Sequence, residues 1–252
     1  MIGKPLYERN VGPGYGCWMK DSSAFTQSQK EKIWVTFGNS GDKMYEYRTM
    51  TRFRDDTPTK VYNLGNIPFF GTGHVVYQNC FYYQAQDWDK IVRFDLIVGS
   101  AVTLVDLPGA SYKNERFLYK GVNNYVDFSV DENGLWIIYS KQEGSNKLQL
   151  ARLNAMTLNI MKTWEIDVER GSYGNGFMVC GVIYFIRSVV ETPSVIDYAY
   201  DIYTESLLTP FQALDISNPY TLNVMVSYNP RDNKIYGWDR GKQITYPLLL
   251  GG

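Results

Sequence analysis

The sequence predicts an all-β protein folded as a five-bladed β-propeller, and three observations carry that reading. The first is composition. Tyr, Phe and Trp make up 15% of the 252 residues, with 21 Tyr, an enrichment that suits pleated, half-buried strands. The second is the lack of any long stretch with apolar residues at i, i+3, i+4 and i+7 between proper caps. The third is a repeat. Short aromatic runs recur as "KIWVTFG" (32–38), "CFYYQA" (80–85), "GLWIIYS" (134–140), "GVIYFIR" (181–187) and "KIYGWDR" (234–240). Their anchors Trp34, Tyr82, Trp136, Tyr184 and Tyr236 lie 48, 54, 48 and 52 residues apart. A period near fifty with several short strands per unit is that of a propeller blade. Such a blade is a small twisted sheet that cannot cover both of its faces alone, so radial packing buries the aromatic faces between neighbours. A β-sandwich, the competing architecture, needs no fifty-residue period.

The elements follow in chain order. "YGCWMKD" (15–21) precedes the first unit and is expected to pair beside 233–248, closing the ring. "SQKEKI" (28–33) is the only local charge cluster and reads as a solvated turn. Each anchor run is then followed by a second strand: "KMYEYRT" (43–49), "KIVRFDL" (90–96), "LQLARLN" (148–154), "VIDYAYD" (195–201) and "KQITYPL" (242–248). The polar stretch 106–124 reads as an excursion on one propeller face. The whole of 1–252 is expected to be one domain, a size that all-β rings reach as a single unit.

Charge excludes some functions. Charged residues are 20% of the chain and the net charge is −1, with no Lys/Arg block to track a phosphate backbone, so no nucleic-acid partner is expected. No apolar run approaches the ~20 residues of a membrane span. Met1 before "IGKPLYERN" and the terminal Gly251-Gly252 read as trimmed edges, with compartment signals expected beyond them. Cys17, Cys80 and Cys180 form no CxxC or CxH pair, which argues against zinc. Their odd number suits a cytosolic protein or a trimmed secreted one.

The stretch "YVDFSVDENGLWIIYS" (125–140) holds three carboxylates. Val126, Phe128 and Val130 alternate with Tyr125, Asp127, Ser129 and Asp131, so the two sets face opposite ways. Asn133-Gly134 signals a hairpin, which gives Asp131 and Glu132 an ordinary place at its end. Asp127 is mid-strand, where an aspartate needs solvent, a partner or an ion. On an innermost propeller strand it would face the central channel. The lone histidine, His74, has two readings: an imidazole hydrogen-bonded to backbone, or a protonated partner for Asp127. Enzyme constellations are missing. Asp127 and Asp131 share one strand, whereas a glycosidase needs carboxylates across a cleft. There is no G-x-S-x-G elbow and no P-loop. A metal-assisted propeller hydrolase working in the channel is the alternative to a binding module. In the binding reading, Tyr112, Arg116, Phe117 and Tyr119 of the 106–124 excursion are the candidate receptor contacts.

Five motifs in order, "GTGHVVY" (71–77), "YVDFSVDENGLWIIYS", "NGFMVCGVIYF" (175–185), "YAYD" (198–201) and "SYNPRDNKIYGWDRG" (227–241), resemble those of the olfactomedin domain family. "YGCWMKD" resembles its G-x-W-M-x-D strand, and the match runs from about Ile2 to Leu249. Within the family the chain looks most similar to the gliomedin branch. The resemblance implies a five-bladed propeller in an extracellular protein, secreted or the ectodomain of a type II membrane protein, with upstream oligomerising segments. It implies non-catalytic recognition of immunoglobulin-type adhesion receptors of the neurofascin kind at the neuronal surface, in settings such as the node of Ranvier. It also implies a channel calcium, often with sodium beside it, held by Asp127, Asn175, the carbonyls of Gly176 and Val226, and a carboxylate where this chain has Ser227. Calcium affinity tracks ligand charge, so calcium is expected to bind weakly or not at all, no cofactor is required, and a monovalent ion such as sodium fits the charge. His74 would then supply the missing positive charge. The resemblance finally pairs Cys180 with a cysteine upstream of Met1, and leaves Cys17 and Cys80 as buried thiols.

Overall fold

A computed structural model describes residues 1–249; the predicted boundary at Gly252 lies outside the described residues. Five antiparallel sheets form the ring. The first blade joins Gly16–Met19, Ile33–Phe37, Lys43–Tyr47 and Lys60–Asn63, and the second joins Phe69–Tyr77, Cys80–Ala85, Lys90–Asp95 and Ser100–Asp106. The third joins Val126–Asp131, Gly134–Ser140, Lys147–Leu153 and Ile160–Glu169. The fourth joins Asn175–Val179, Val182–Ile186 and Ser194–Asp201, with the short outer pieces Ser206–Leu207 and Leu214–Ile216. The fifth runs Asn223–Asn229, Lys234–Asp239, Lys242–Pro247 and then Leu6–Asn10. The first strands of the blades converge on the axis.

All five anchor aromatics fall on second strands, opposite first-strand residues: Trp34 pairs with Met19, Tyr82 with Val75, Trp136 with Ser129, Tyr184 with Phe177 and Tyr236 with Ser227. The repeat in the sequence is therefore the blade repeat. The cores lie between blades. Trp18, Phe53, Tyr236 and Trp238 pack at the fifth–first junction, and Tyr82, Phe128 and Ile137 at the second–third. Trp136, Trp164 and Phe185 fill the third–fourth junction, and Phe177, Ile186 and Ile244 the fourth–fifth. Truncating one such ring costs about 3–5 kcal/mol.

Ring closure does come from the N-terminus, but from Leu6–Asn10 rather than from 15–21. Leu6–Asn10 pairs with Lys242–Pro247 as the outer strand of the fifth blade. Gly16–Met19 is instead the innermost strand of the first blade, paired with Ile33–Phe37 and buried throughout. The apolar "GCWM" run suits an inner strand covered on both faces, while "LYERN" has the exposed, charged character of an edge. Trp18 still reaches the fifth blade, its indole donating to the Gly237 carbonyl at 2.9 Å.

Two further expectations change. Residues 28–33 do not make a simple turn: Gln27–Glu31 is a short helix, capped by Thr26 with the Gln29 side chain returning the bond. The hairpin of the third blade turns at Glu132–Asn133, one residue earlier than the Asn-Gly signal suggests, with the positive φ at Gly134.

Candidate functional site

The channel is built from first strands. Strand alternation in Val126–Asp131 is as read. Val126, Phe128 and Val130 join the second–third core. Ser129 Oγ, on the other face, accepts from the Met178 amide of the fourth blade at 3.0 Å. Asp127 is 4% exposed at the axis. Its Oδ2 accepts from the Tyr119 hydroxyl at 2.8 Å. On its other side stands Gly73, where an added Cβ would lie 2.4 Å from Asp127 Oδ1 and 2.7 Å from its Cα. A strand glycine marks such a close backbone approach, and the G-T-G run of the second blade is the sequence signal for it. Burial pushes the Asp127 carboxyl up to about 7, against the pull of the Tyr119 hydrogen bond.

Other polar groups near the axis serve packing. Thr72 donates its amide to Asn124 Oδ1 at 2.8 Å and its hydroxyl to the Val224 carbonyl at 2.7 Å, tying the second and fifth blades. Asn124 Nδ2 is buried without a partner; it is a donor, which suits water and not a cation. Asn175 Oδ1 accepts from the Gly176 amide at 2.8 Å. A Cβ on Gly176 would lie 3.3 Å from the Tyr119 hydroxyl, so that hydroxyl occupies the space between Asp127 and Gly176. Val226 packs in the fourth–fifth core. Ser227 lines a cavity of about 20 Å³ with Trp18, Val75, Val130 and Tyr228. Among the described residues no three His, Cys, Asp or Glu side chains gather as a metal cluster. A single carboxylate already bonded to a hydroxyl does not fit a calcium ion, which takes six to eight oxygens and ample negative charge.

His74 is not the partner of Asp127. Its ring packs edge-on to Phe69, Phe81 and Tyr83 at centroid distances of 5.0, 5.5 and 6.5 Å, and its Nε2 has no hydrogen-bond partner. Burial lowers its pKa to about 3, so the imidazole is neutral at pH 7. In the strand the adjacent Gly73 takes the face toward Asp127, and His74 takes the opposite, aromatic one.

The 106–124 stretch is no free excursion. Leu107, Ala110, Leu118, Tyr119 and Val122 are buried. Tyr119 is buried and reaches the channel, so it cannot contact a receptor as expected. Phe117 lies against Tyr125 at 4.7 Å, and Arg116 donates to Asn146 Oδ1 at 3.0 Å. Tyr112 stays half-exposed at the edge of a surface depression with Lys113 and Lys141.

Asp131 and Glu132 are structural, and their role spans blades. Asp131 accepts from the Trp136 indole at 2.7 Å and the Gly181 amide at 2.7 Å. Glu132 accepts from the Cys180 amide at 2.9 Å and the Tyr228 hydroxyl at 2.7 Å. Asp21 does the same at the first–second junction, accepting the Gln78 and Asn79 amides at 3.0 and 2.8 Å. At these two junctions a carboxylate after an inner strand thus caps the first hairpin of the next blade. Cys17 and Cys80 are buried thiols and Cys180 is exposed at its hairpin tip.

The fold and its channel define a five-bladed propeller with an occluded axis. The olfactomedin-like domain family matches residues 1–251, and the chain belongs to that family. The myocilins of Canis lupus familiaris and Homo sapiens are 32% and 31% identical over 254 and 257 residues, covering 99% of this chain and 52% and 50% of theirs. The chain therefore spans about half the length of these curated relatives, which are myocilins and not gliomedins. The crystal structure of Myxococcus xanthus glutaminyl cyclase is similar with a TM-score of 0.53 and 11% identity, covering 99% of this chain and 97% of that one, a likeness of fold alone. No helix among the described residues is long and apolar enough to cross a membrane.

Proposed function

We propose that this domain is a non-catalytic extracellular recognition module that binds cell-surface adhesion receptors. The observation that carries the proposal is the covered channel. Asp127, the one carboxylate at the axis among the described residues, is buried under Tyr119 and against Gly73, which argues against a hydrolase that works in the channel. Recognition then falls to the rim and the face loops, where Tyr112 and Arg116 remain half-exposed. The finer form of the reading takes immunoglobulin-type receptors of the neurofascin kind as partners; it rests on the sequence resemblance to the gliomedin branch and not on the myocilin relatives. Upstream segments would then set the oligomeric state, and Cys180 would bridge to a cysteine there. The test is binding to neuronal cells as a monomer and as an artificially clustered form. Clustering is expected to raise apparent affinity by about 10²-fold or more through avidity. No binding by either form, or turnover of ester, sugar or phosphate substrates, overturns the proposal; equal binding by both forms overturns its avidity part.

The proposal extends to the channel, which holds no tight calcium in this chain; a monovalent ion such as sodium matches the single charge of Asp127. Calcium at a hundredfold excess over its Kd would stabilise the fold by about 2.7 kcal/mol. The melting temperature is therefore expected to stay within about 2 °C between millimolar calcium and chelator, less than a bound ion would give. Ser227→Asp is expected to create a calcium-dependent rise, and adding Asp127→Ala to remove it. A wild-type domain that melts many degrees lower in chelator contradicts this.

A further inference from the structure

Every blade ends in an outer strand with one unpaired edge, and native proteins blunt such edges with charge, proline or brevity. Four of the five here are blunted. Leu6–Asn10 has only five residues, follows Pro5 and carries Glu8; Lys60–Asn63 has four residues and begins with lysine. Ile160–Glu169 bears Lys162, Glu165, Asp167 and Glu169 on its exposed positions. The outer pieces of the fourth blade are two and three residues long.

Ser100–Asp106 differs. It has seven residues and no charge before Asp106. Val102 and Leu104 are 44% and 39% exposed, and Ile97 and Val98 in the preceding turn are 75% and 68% exposed. A bulge between Ala101 and Thr103 does not end the strand; pairing with Lys90–Asp95 resumes and runs on to Asp106. From residue 97 to 109, "IVGSAVTLVDLPG", Asp106 is the only charged residue, and it is already ion-paired with Lys90.

We infer that this edge pairs with the same edge of a second copy of the chain, antiparallel and two-fold symmetric. The sequence is self-complementary about Thr103. Pairing Thr103 with its own copy sets Val102 opposite Leu104 and Ser100 opposite Asp106. It also brings Val98 to the exposed Pro108 of the other copy. No like charges meet, and apolar cross-strand pairs stabilise such a ladder. A two-fold axis makes the contact isologous and self-limiting, so a dimer forms and not a fibre. One strand pair and its flanking turns form a small interface beside the ~1,600 Å² of a standard one, so the dimer is weak and concentration-dependent.

The test is sedimentation of the chain from about 1 µM to about 1 mM, the Kd range of small interfaces. The wild type is expected to pass from monomer to dimer across that range. Leu104→Lys is expected to stay monomeric throughout with its melting temperature unchanged, and Val102→Glu to behave the same way, which covers a loss of solubility in either variant. Met161→Lys, on the outer strand of the third blade, is expected to dimerise like the wild type. A wild type monomeric at the highest concentration overturns the inference. So does a Leu104→Lys and Val102→Glu pair that dimerises normally.

Discussion

Arg9→Ala is expected to lower the melting temperature by about 6–20 °C, from a loss of about 3–5 kcal/mol at 2–4 °C per kcal/mol for a chain of this size. Arg9 belongs to the strand that closes the ring, and its side chain crosses from the fifth blade into the first. It is 4% exposed. Its Nε donates to Gln243 Oε1 at 2.6 Å, and its Nη1 donates to the Phe53 carbonyl and, at 2.9 Å, to Asp56 Oδ1. The guanidinium also lies 4.0 Å from the centroid of Phe53 and 4.8 Å from that of Tyr47. Asp56 is 63% exposed, so that ion pair contributes little. The cost comes from the buried Gln243 oxygen left without a donor, from the Phe53 carbonyl losing its charged donor and keeping the Asp56 amide at 3.2 Å, and from the space left between two rings. Arg9→Lys keeps the charge but not the planar fork that makes three bonds and stacks at once, and is expected to recover less than half of the loss. Thermal melting at pH 7 checks both. A fall below about 3 °C for Arg9→Ala would mean that the ring is closed by the backbone ladder alone.

The blade count was legible because the large aromatics of second strands repeat with the blade itself. Which N-terminal strand closes the ring was harder to see. Trp18 sits in a motif that does touch the fifth blade, but through its indole, while the backbone pairing belongs to the less distinctive "LYERN". The alternation in 125–131 gave the orientation of Asp127 correctly, since period two is local geometry. Its neighbours were not local. Tyr119 arrives from a stretch whose polarity suggested a surface loop, and its hydroxyl bond to Asp127 depends on the path of the whole 106–124 segment. The misplacement of His74 had a readable correction in Gly73. In "GTGH" the glycine marks the face too crowded for a side chain, so the histidine has to take the other. Asp131 and Glu132 were rightly read as hairpin residues, but their partners lie in the fourth and fifth blades, and turn chemistry alone does not reveal a partner fifty or a hundred residues away.

Asp127 makes the channel a measurable source of pH dependence. Burial raises its carboxyl from 3.8 to about 7 in the folded state. A raised folded value means that the native state binds the proton more tightly than the unfolded chain does. The neutral carboxyl therefore costs nothing extra below about pH 4, and stability is lost as pH rises toward 7 and beyond. At 1.36 kcal/mol per unit the full loss is about 4 kcal/mol. Asp239, also raised by burial, acts in the same direction, whereas Glu132 and Asp232, lowered by hydrogen bonds and cationic neighbours, act in the opposite one. The overall profile of the wild type thus mixes signs, and the difference between wild type and Asp127→Asn isolates the channel. The asparagine keeps the shape beside Gly73 and leaves an amide to bond the Tyr119 hydroxyl, but it does not ionise. Denaturant unfolding in chelator and low sodium is expected to give similar stabilities for the two proteins at pH 4.5. At pH 8 the variant is expected to be more stable by about 3–4 kcal/mol. Adding sodium is expected to narrow that gap for the wild type alone, because a cation beside the carboxylate favours its ionised form. Parallel profiles from pH 4.5 to 8 would show that Asp127 is ionised and already neutralised in the folded domain, and would remove the reason for reading the channel as lacking a bound charge.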